Sequence, residues 1–287
     1  MKCNTWWKKI IIILFMTCIS MSLAADEGFF TSYSEMIAGD FVFHEDGNGL
    51  FVNNEGVVQD FLFSWSIDDG LIFFQIEKPW FEDIYRKQVK KILLLAGRES
   101  SGRNFAFGFY NELNAQKWPS MLFSDVPREF EGSGRIYKDP SSHLVEGTRE
   151  YSVDNLDNPY PGTPWVEAAQ GHGIGEGFTI ENSWGTVYTR LLIMNGYISF
   201  DKPYLYAQNS RVKKLKVTGV KSGRSEILEV LDTPHPQTVD ISFITEAEDI
   251  RVEIADVYSG TKYQDTCLNF CITWNSTIEP VLDYYNQ

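Results

Sequence analysis

Histidine and cysteine are scarce in this chain, four of each in 287 residues, and that scarcity removes whole classes of chemistry. His44, His143, His172 and His235 are scattered without a partner pattern, and the chain has no G-x-S-x-G, H-E-x-x-H or P-loop motif. No second pair of Cys or His stands at ligand spacing from Cys267 and Cys271, so neither a zinc site nor any cofactor is expected. Cations are also few. The 25 Lys and Arg against 39 Asp and Glu leave a charge of −14, which repels phosphate backbones and makes nucleic acid an unsuitable partner. The simplest role of this charge is solubility. Heptads, internal repeats and strongly amphipathic helices are missing, and no segment reaches the ~20 apolar residues that span a bilayer. Aromatic residues are plentiful at 15%, too many for a disordered chain.

The N-terminus reads as an export leader. Lys2, Lys8 and Lys9 precede the apolar run from Ile10 to Phe15, and Ser22-Leu23-Ala24 offers a small-residue cleavage site. The expected signal peptide is 1–25, with cleavage after Ala24 or Ala25. A rival reading takes Phe15-Met16-Thr17-Cys18 as a lipobox with Cys18 lipidated, although Thr17 is a poor match to the small residue usual there. Cleavage after Ala24 or Ala25 leaves Cys267 and Cys271 as the cysteines of the mature chain. In a strand their Cα atoms would lie about 13 Å apart, too far to bridge, whereas a turn or loop would bring them together. Both possibilities stay open.

Residues 26–140 read as a β-rich N-terminal domain, an antiparallel meander or small barrel. Phe41 and Phe43 flank Val42, and Phe61, Phe63 and Trp65 alternate with Leu62, Ser64 and Ser66. Asp46-Gly47 and Asp69-Gly70 are hairpin turn signals, and Leu71 to Ile76 and the Phe105, Phe107, Phe109 series follow. About thirty-five of these residues are faintly similar to small lipocalin-like domains, which implies an internal site for an apolar ligand. Filling of a core is the plainer use of the aromatics. Asn111 to Pro119 reads as a short helix or loop, and Ser124 to Pro140 as an irregular linker.

Residues 141–275 read as a second all-β unit, with 276–287 as a tail. Strands are expected at Phe178 to Ile180, Arg190 to Asn195, Val212 to Val217, Ile227 to Val230, Val239 to Phe243 and Ile250 to Ile254. The last is the cleanest, with Ile250, Val252 and Ile254 inward and Arg251 and Glu253 outward. Short, evenly spaced strands with polar loops argue for a β-sandwich.

Thr163-Pro164-Trp165-Val166-Glu167, Gly173-Ile174-Gly175-Glu176, Asn195-Gly196-Tyr197, Asn209-Ser210-Arg211 and the run from Val257 to Cys267 occur here in a distinctive order. Over about 141–271 they resemble the discoidin-like jelly roll of the NAD glycohydrolase translocation module, also described as glycan-binding. The resemblance implies loops at one end of a sandwich that bind carbohydrate. It departs at Asn269-Phe270, where the family usually has Ser-Glu, and at Ser259, where it often has Pro.

Several motif residues have structural uses. Trp165 suits a core anchor, Gly173, Gly175 and Gly196 suit tight backbone geometry, and Glu176 is placed to pair with Arg211. Glu167 belongs to the same motif set. Asn195 and Asn209 suit side-chain bonds to loop backbone. Candidate glycan contacts are the rings of Tyr160, Trp184, Tyr197, Tyr204 and Tyr206, for stacking on a sugar's C–H face. Asn182, Gln208, Asn209 and Arg211 would bond its hydroxyls. Asp154, Asp157 and Asn158 admit a calcium reading, but a solvated acidic loop fits them better.

Only 16 residues follow Cys271, too few for a catalytic fold. The expectation is therefore an exported, non-catalytic carbohydrate-binding protein. An envelope protein-interaction module and a carrier of small apolar ligands are the alternatives.

Overall fold

The computed structural model describes residues 31–34, 37–43, 47–53, 56–76, 91–101, 104–110, 120–124 and 135–280. The leader with its alternative lipidation site, Asp46, the 111–119 segment and most of the expected linker lie outside them. Eight strands come first. They are β1 (Thr31–Ser34), β2 (Ile37–Phe43), β3 (Asn48–Asn53), β4 (Gly56–Asp68), β5 (Leu71–Ile76), β6 (Lys91–Glu99), β7 (Asn104–Tyr110) and β8 (Ser120–Ser124). Each pairs antiparallel with the next, and β1 also comes against β8, so the meander curls towards a barrel. Asp69 and Gly70, both at positive φ (48° and 80°), form the two-residue β4–β5 turn that the Asp-Gly signal predicts. The side chains of Phe41, Phe43, Phe61, Phe63 and Trp65 are outside the described set.

The second unit holds β9 (Tyr137–Lys138), β10 (Val145–Glu146), β11 (Arg149–Glu150), a 3-10 helix (Val153–Asp157), β12 (Trp165–Val166), β13 (Gly177–Ile180) and β14 (Arg190–Asn195). A single turn of helix, α1 (Leu205–Gln208), precedes β15 (Ser210–Gly219), β16 (Ser225–Glu229), β17 (Gln237–Asp240), β18 (Ile250–Tyr258), β19 (Thr266–Trp274) and β20 (Ile278–Pro280). One layer runs β17-β14-β19 with β12 on β19; the other runs β16-β15-β18-β13-β9. Ser210 and Arg211 pair in parallel with Thr266 and Cys267 where the layers meet. Between them lies a core that includes Trp165, Phe178, Leu191, Ile193, Leu215, Val217, Ile250, Val252, Ile254 and Leu268. The architecture is the expected all-β sandwich.

β19 was not among the expected strands, and its burial explains why. All nine of its residues are buried, because both of its faces are covered. Leu268 and Cys271 face the sandwich core, whereas Phe270, Ile272 and Trp274 face the other way. The register against β14 slips at Asn269, a bulge that moves the alternation by one residue. Cys267 and Cys271 lie along this one strand as free, buried thiols, so the bridged alternative falls.

The outer face of β14 and β19 packs against β5, β6 and β7, which makes the N-terminal sheet a third layer. Phe107 meets Phe270 with ring centroids 6.0 Å apart, Phe105 meets Trp274 at 5.9 Å, and Phe73 meets Phe200 at 5.9 Å. β20, drawn from the stretch read as a tail, pairs with β6. Gly97 permits this approach, since a Cβ there would lie 2.7 Å from Ile278 Cγ2 and 2.9 Å from the Glu279 carbonyl.

Candidate functional site

The strand directions sort the sandwich loops into two groups. One end gathers the β14–β15 loop, the β18–β19 loop, the 167–176 loop and the β10–β11 hairpin. The opposite end gathers the β13–β14, β15–β16 and β17–β18 loops. A cleft of about 290 Å³ opens in the first group.

Its floor is aliphatic and aromatic. Leu144, Val166 and Leu205 lie there with Tyr151 and Tyr197, whose rings meet edge to face at 6.1 Å. The hydroxyl of Tyr151 donates to Glu146 Oε2 at 3.2 Å and lies 3.5 Å from that of Tyr197. Burial raises the pKa of both phenols above the ordinary value, so both stay protonated and able to donate. The Arg149 guanidinium lies 4.8 Å over the Tyr151 ring and bonds the Gly162 carbonyl, which fixes it at one wall. Lys202, Asn209, Tyr263 and Asp265 complete the lining. Tyr263 is 37% exposed, with the Lys262 ammonium 4.7 Å over its ring.

The expected contact residues do not share one place. Tyr197 and Asn209 line the cleft; Asn209 also donates from Nδ2 to the Leu205 carbonyl at 2.8 Å. Tyr204, exposed, stands at the start of α1 at the same end. Gln208 ends α1, its carbonyl accepting the Lys262 and Tyr263 N–H groups at 3.1 and 2.8 Å. Tyr206 is buried and donates to Asp232 Oδ1 at 3.1 Å. Arg211 grips Asp232 through Nε at 2.6 Å and Nη2 at 2.8 Å, and Nη1 donates to the Tyr206 and Asn209 carbonyls. Burial opposes its charge, but Asp232 outweighs that and raises the guanidinium pKa.

Asn182 and Trp184 belong to the opposite end. Asn182 closes its loop by bonding both the N–H and the carbonyl of Thr186, and Trp184 projects from it at 65% exposure. Tyr160 turns into the seam, its ring 5.7 Å from Phe109.

The motif residues form a frame behind the cleft. Trp165 is in the core, with Nε1 donating to the Ser142 carbonyl at 3.0 Å. Glu167, fully buried, accepts the Thr266 N–H at 2.9 Å and the Ala169 N–H at 2.7 Å. Burial raises its pKa, and the two N–H groups partly offset this. Asn195 bonds both the N–H and the carbonyl of Val212, at 3.0 and 2.7 Å. Gly173, Gly175 and Gly196 all have positive φ. The expected Glu176–Arg211 pair does not form: Glu176 accepts from Ser142 Oγ, while Asp232 holds the arginine. In the acidic loop Asp157 is met by Arg135 at 2.9 Å, and Ser152 accepts the Asp154 N–H as a helix cap.

Glu146, Arg149, Tyr151, Lys202, Tyr263 and Asp265 escaped the sequence reading. Tyr263 and Asp265 lie inside the run that carries the family resemblance, which was the available signal. The β10–β11 hairpin has strands of two residues, too short for any periodicity.

A discoidin-like β-sandwich with a cleft at its loop end defines the class. The chain belongs to the NAD glycohydrolase translocation F5/8 type C domain family, whose profile matches residues 129–272. No curated protein matches it in sequence. Among solved structures it is similar to CpGH89CBM32-4, produced by Clostridium perfringens, in complex with glcNAc-alpha-1,4-galactose. That likeness has 11% identity and a TM-score of 0.31, covering 50% of this chain and 90% of the other. It is also similar to the SusE-like protein BT2857, at 10% identity and a TM-score of 0.37, covering 76% of this chain and 96% of the other.

Proposed function

We propose that this chain is an exported, non-catalytic binding protein that recognises carbohydrate in the loop-end cleft. The observation that carries the reading is the lining: Tyr263 and Tyr197 rings beside Glu146, Asp265, Arg149 and Asn209. Rings of this kind stack on the apolar face of a pyranose, and the charged and amide groups bond its hydroxyls. The leader and the family membership support export and binding. His172 lies 3.0 Å from Ser210 Oγ, but that hydroxyl is fully buried and is held by the Gly260 N–H, so the pair is a strut and not a nucleophile with its base.

A glycan-array screen of the chain lacking residues 1–25 tests the reading. The whole of 26–287 is used, because cutting away the N-terminal sheet would bare Phe270 and Trp274. Binding should fall about tenfold or more in Tyr263→Ala, in line with loss of a stacking ring, and be unchanged in Trp184→Ala. Loss in Trp184→Ala alone would move the site to the opposite end. Silence of the unmodified chain would remove the carbohydrate reading in favour of a protein partner, and release of reducing sugar would remove its non-catalytic part.

A further inference from the structure

Thr233-Pro234-His235-Pro236, between β16 and β17, crosses the seam between the sandwich and the N-terminal sheet. Pro234 packs on Gly70 of the β4–β5 turn, where a Cβ would meet the proline ring at 3.3 Å. The Pro236 carbonyl lies against Gly97 of β6, 2.9 Å from where a Cβ would stand. Between these two contacts His235 is only 1% exposed. Its Nδ1 accepts the Ala96 backbone N–H at 3.1 Å, and the ring's other polar bond goes to the backbone of Gly70.

The sheet explains why an imidazole stands there. β5 pairs with β6 along residues 91–94, and β20 pairs with it along 97–99. Residues 95 and 96 fall between these two neighbours, and His235 supplies the missing partner. An imidazole accepts at one nitrogen and donates at the other only while it is neutral; protonated, both nitrogens are donors. A proton on Nδ1 would face the Ala96 N–H with no acceptor between them.

We propose that His235 is an acid-released fastener between the N-terminal sheet and the sandwich, and that uptake of one proton opens the seam at β6. Opening there exposes the outer face of β14 and β19, with Leu192, Met194, Phe270 and Ile272.

Burial pushes the closed-state imidazole down to about 4, and the Gly70 bond offsets only part of this. In the open seam the group returns to its ordinary value of about 6.5. The closed form therefore has its full advantage above about pH 6.5 and loses it as pH falls towards 4. Across that window opening gains about tenfold per pH unit, and it levels off below. The charged groups on the elements that meet at His235 are Asp68 and Asp69 at the turn, Lys91, Arg98 and Glu99 on β6, Glu279 on β20 and Asp232 on its own segment. Lys91 lies over the Phe73 ring, Asp232 is committed to Arg211, and none of the seven contributes to the imidazole's shift, which has burial and Gly70 as its causes.

Amide hydrogen exchange of residues 26–287 between pH 7 and 4.5, corrected for intrinsic rates, tests the proposal, with His235→Asn as the variant. The asparagine amide oxygen stands close to where Nδ1 does, and it cannot titrate. Exchange at 96–99, where His235 and β20 meet the edge of β6, should accelerate about tenfold per pH unit below pH 6.5 in the unmodified chain, with β18 still protected, and be independent of pH in the variant. Equal pH dependence in both proteins, or joint loss of protection in β6 and β18, overturns the proposal. If His235→Asn does not fold, the imidazole is titrated by NMR in the unmodified chain. A midpoint near 6.5 with 96–99 still protected overturns it, and a depressed midpoint that tracks exchange of 96–99 supports it.

Discussion

Gly173 and Glu167 compete for one space: a Cβ on the glycine would stand 2.4 Å from the glutamate Cδ. The carboxylate is there because it holds the Thr266 and Ala169 N–H groups, tying the 167–176 loop to the start of β19. Gly173→Ala therefore meets a collision as well as a backbone at φ +64°. We expect a loss of about 2–4 kcal/mol by urea unfolding. Gly175→Ala, with φ +91° but nothing within 4 Å, should lose about 1–2 kcal/mol.

Arg211→Lys should also destabilise, by about 2–3 kcal/mol. An ammonium cannot span both Asp232 oxygens and two backbone carbonyls at once, as this guanidinium does. Thermal unfolding checks the loss, and an unchanged melting temperature would contradict the role assigned to the pair.

Phe270→Ala should lose about 3–5 kcal/mol, because its ring sits between the sandwich and the N-terminal sheet. Trp184→Ala should stay within about 0.5 kcal/mol, as an exposed ring on a loop closed by Asn182 supports nothing behind it. Urea unfolding of both variants makes the comparison.

Thiol labelling at pH 8 gives a separate check on the core. Cys267 and Cys271 are buried and unbridged, and burial pushes the Cys271 thiol up to about 12 and raises that of Cys267. Residues 26–287 should not react while folded and should release two thiols in denaturant. Rapid labelling of the folded chain would show that β19 is not covered on both faces.

What the sequence disclosed follows from the physics of each element. β18 was legible because one face meets the core and the other meets water, so Ile250, Val252 and Ile254 alternate with charged residues. The Asp69-Gly70 turn was legible because positive φ is a local demand. β19 hid itself: with both faces buried and a bulge at Asn269, its apolar residues keep no simple period. The Asn269-Phe270 departure from the family pattern gains a reason here, since Phe270 is covered by the third layer. Trp184 and Tyr197 are both expected on loops at one end of the sandwich, yet β14 runs between them and carries them to opposite ends. The cleft was hard to read because its walls come from the β10–β11 hairpin, the segment before α1 and the β18–β19 loop, which only the closed sandwich brings together.

The pairing of β20 with β6 sets an order of events for a chain made from its N-terminus. β6 lies almost two hundred residues upstream of its partner. Until residues 278–280 have emerged, the edge of the N-terminal sheet beside residues 97–99 is unfilled, although His235 and β19 have already been made. Completion of the N-terminal sheet therefore waits on a segment that is made after the sandwich strands.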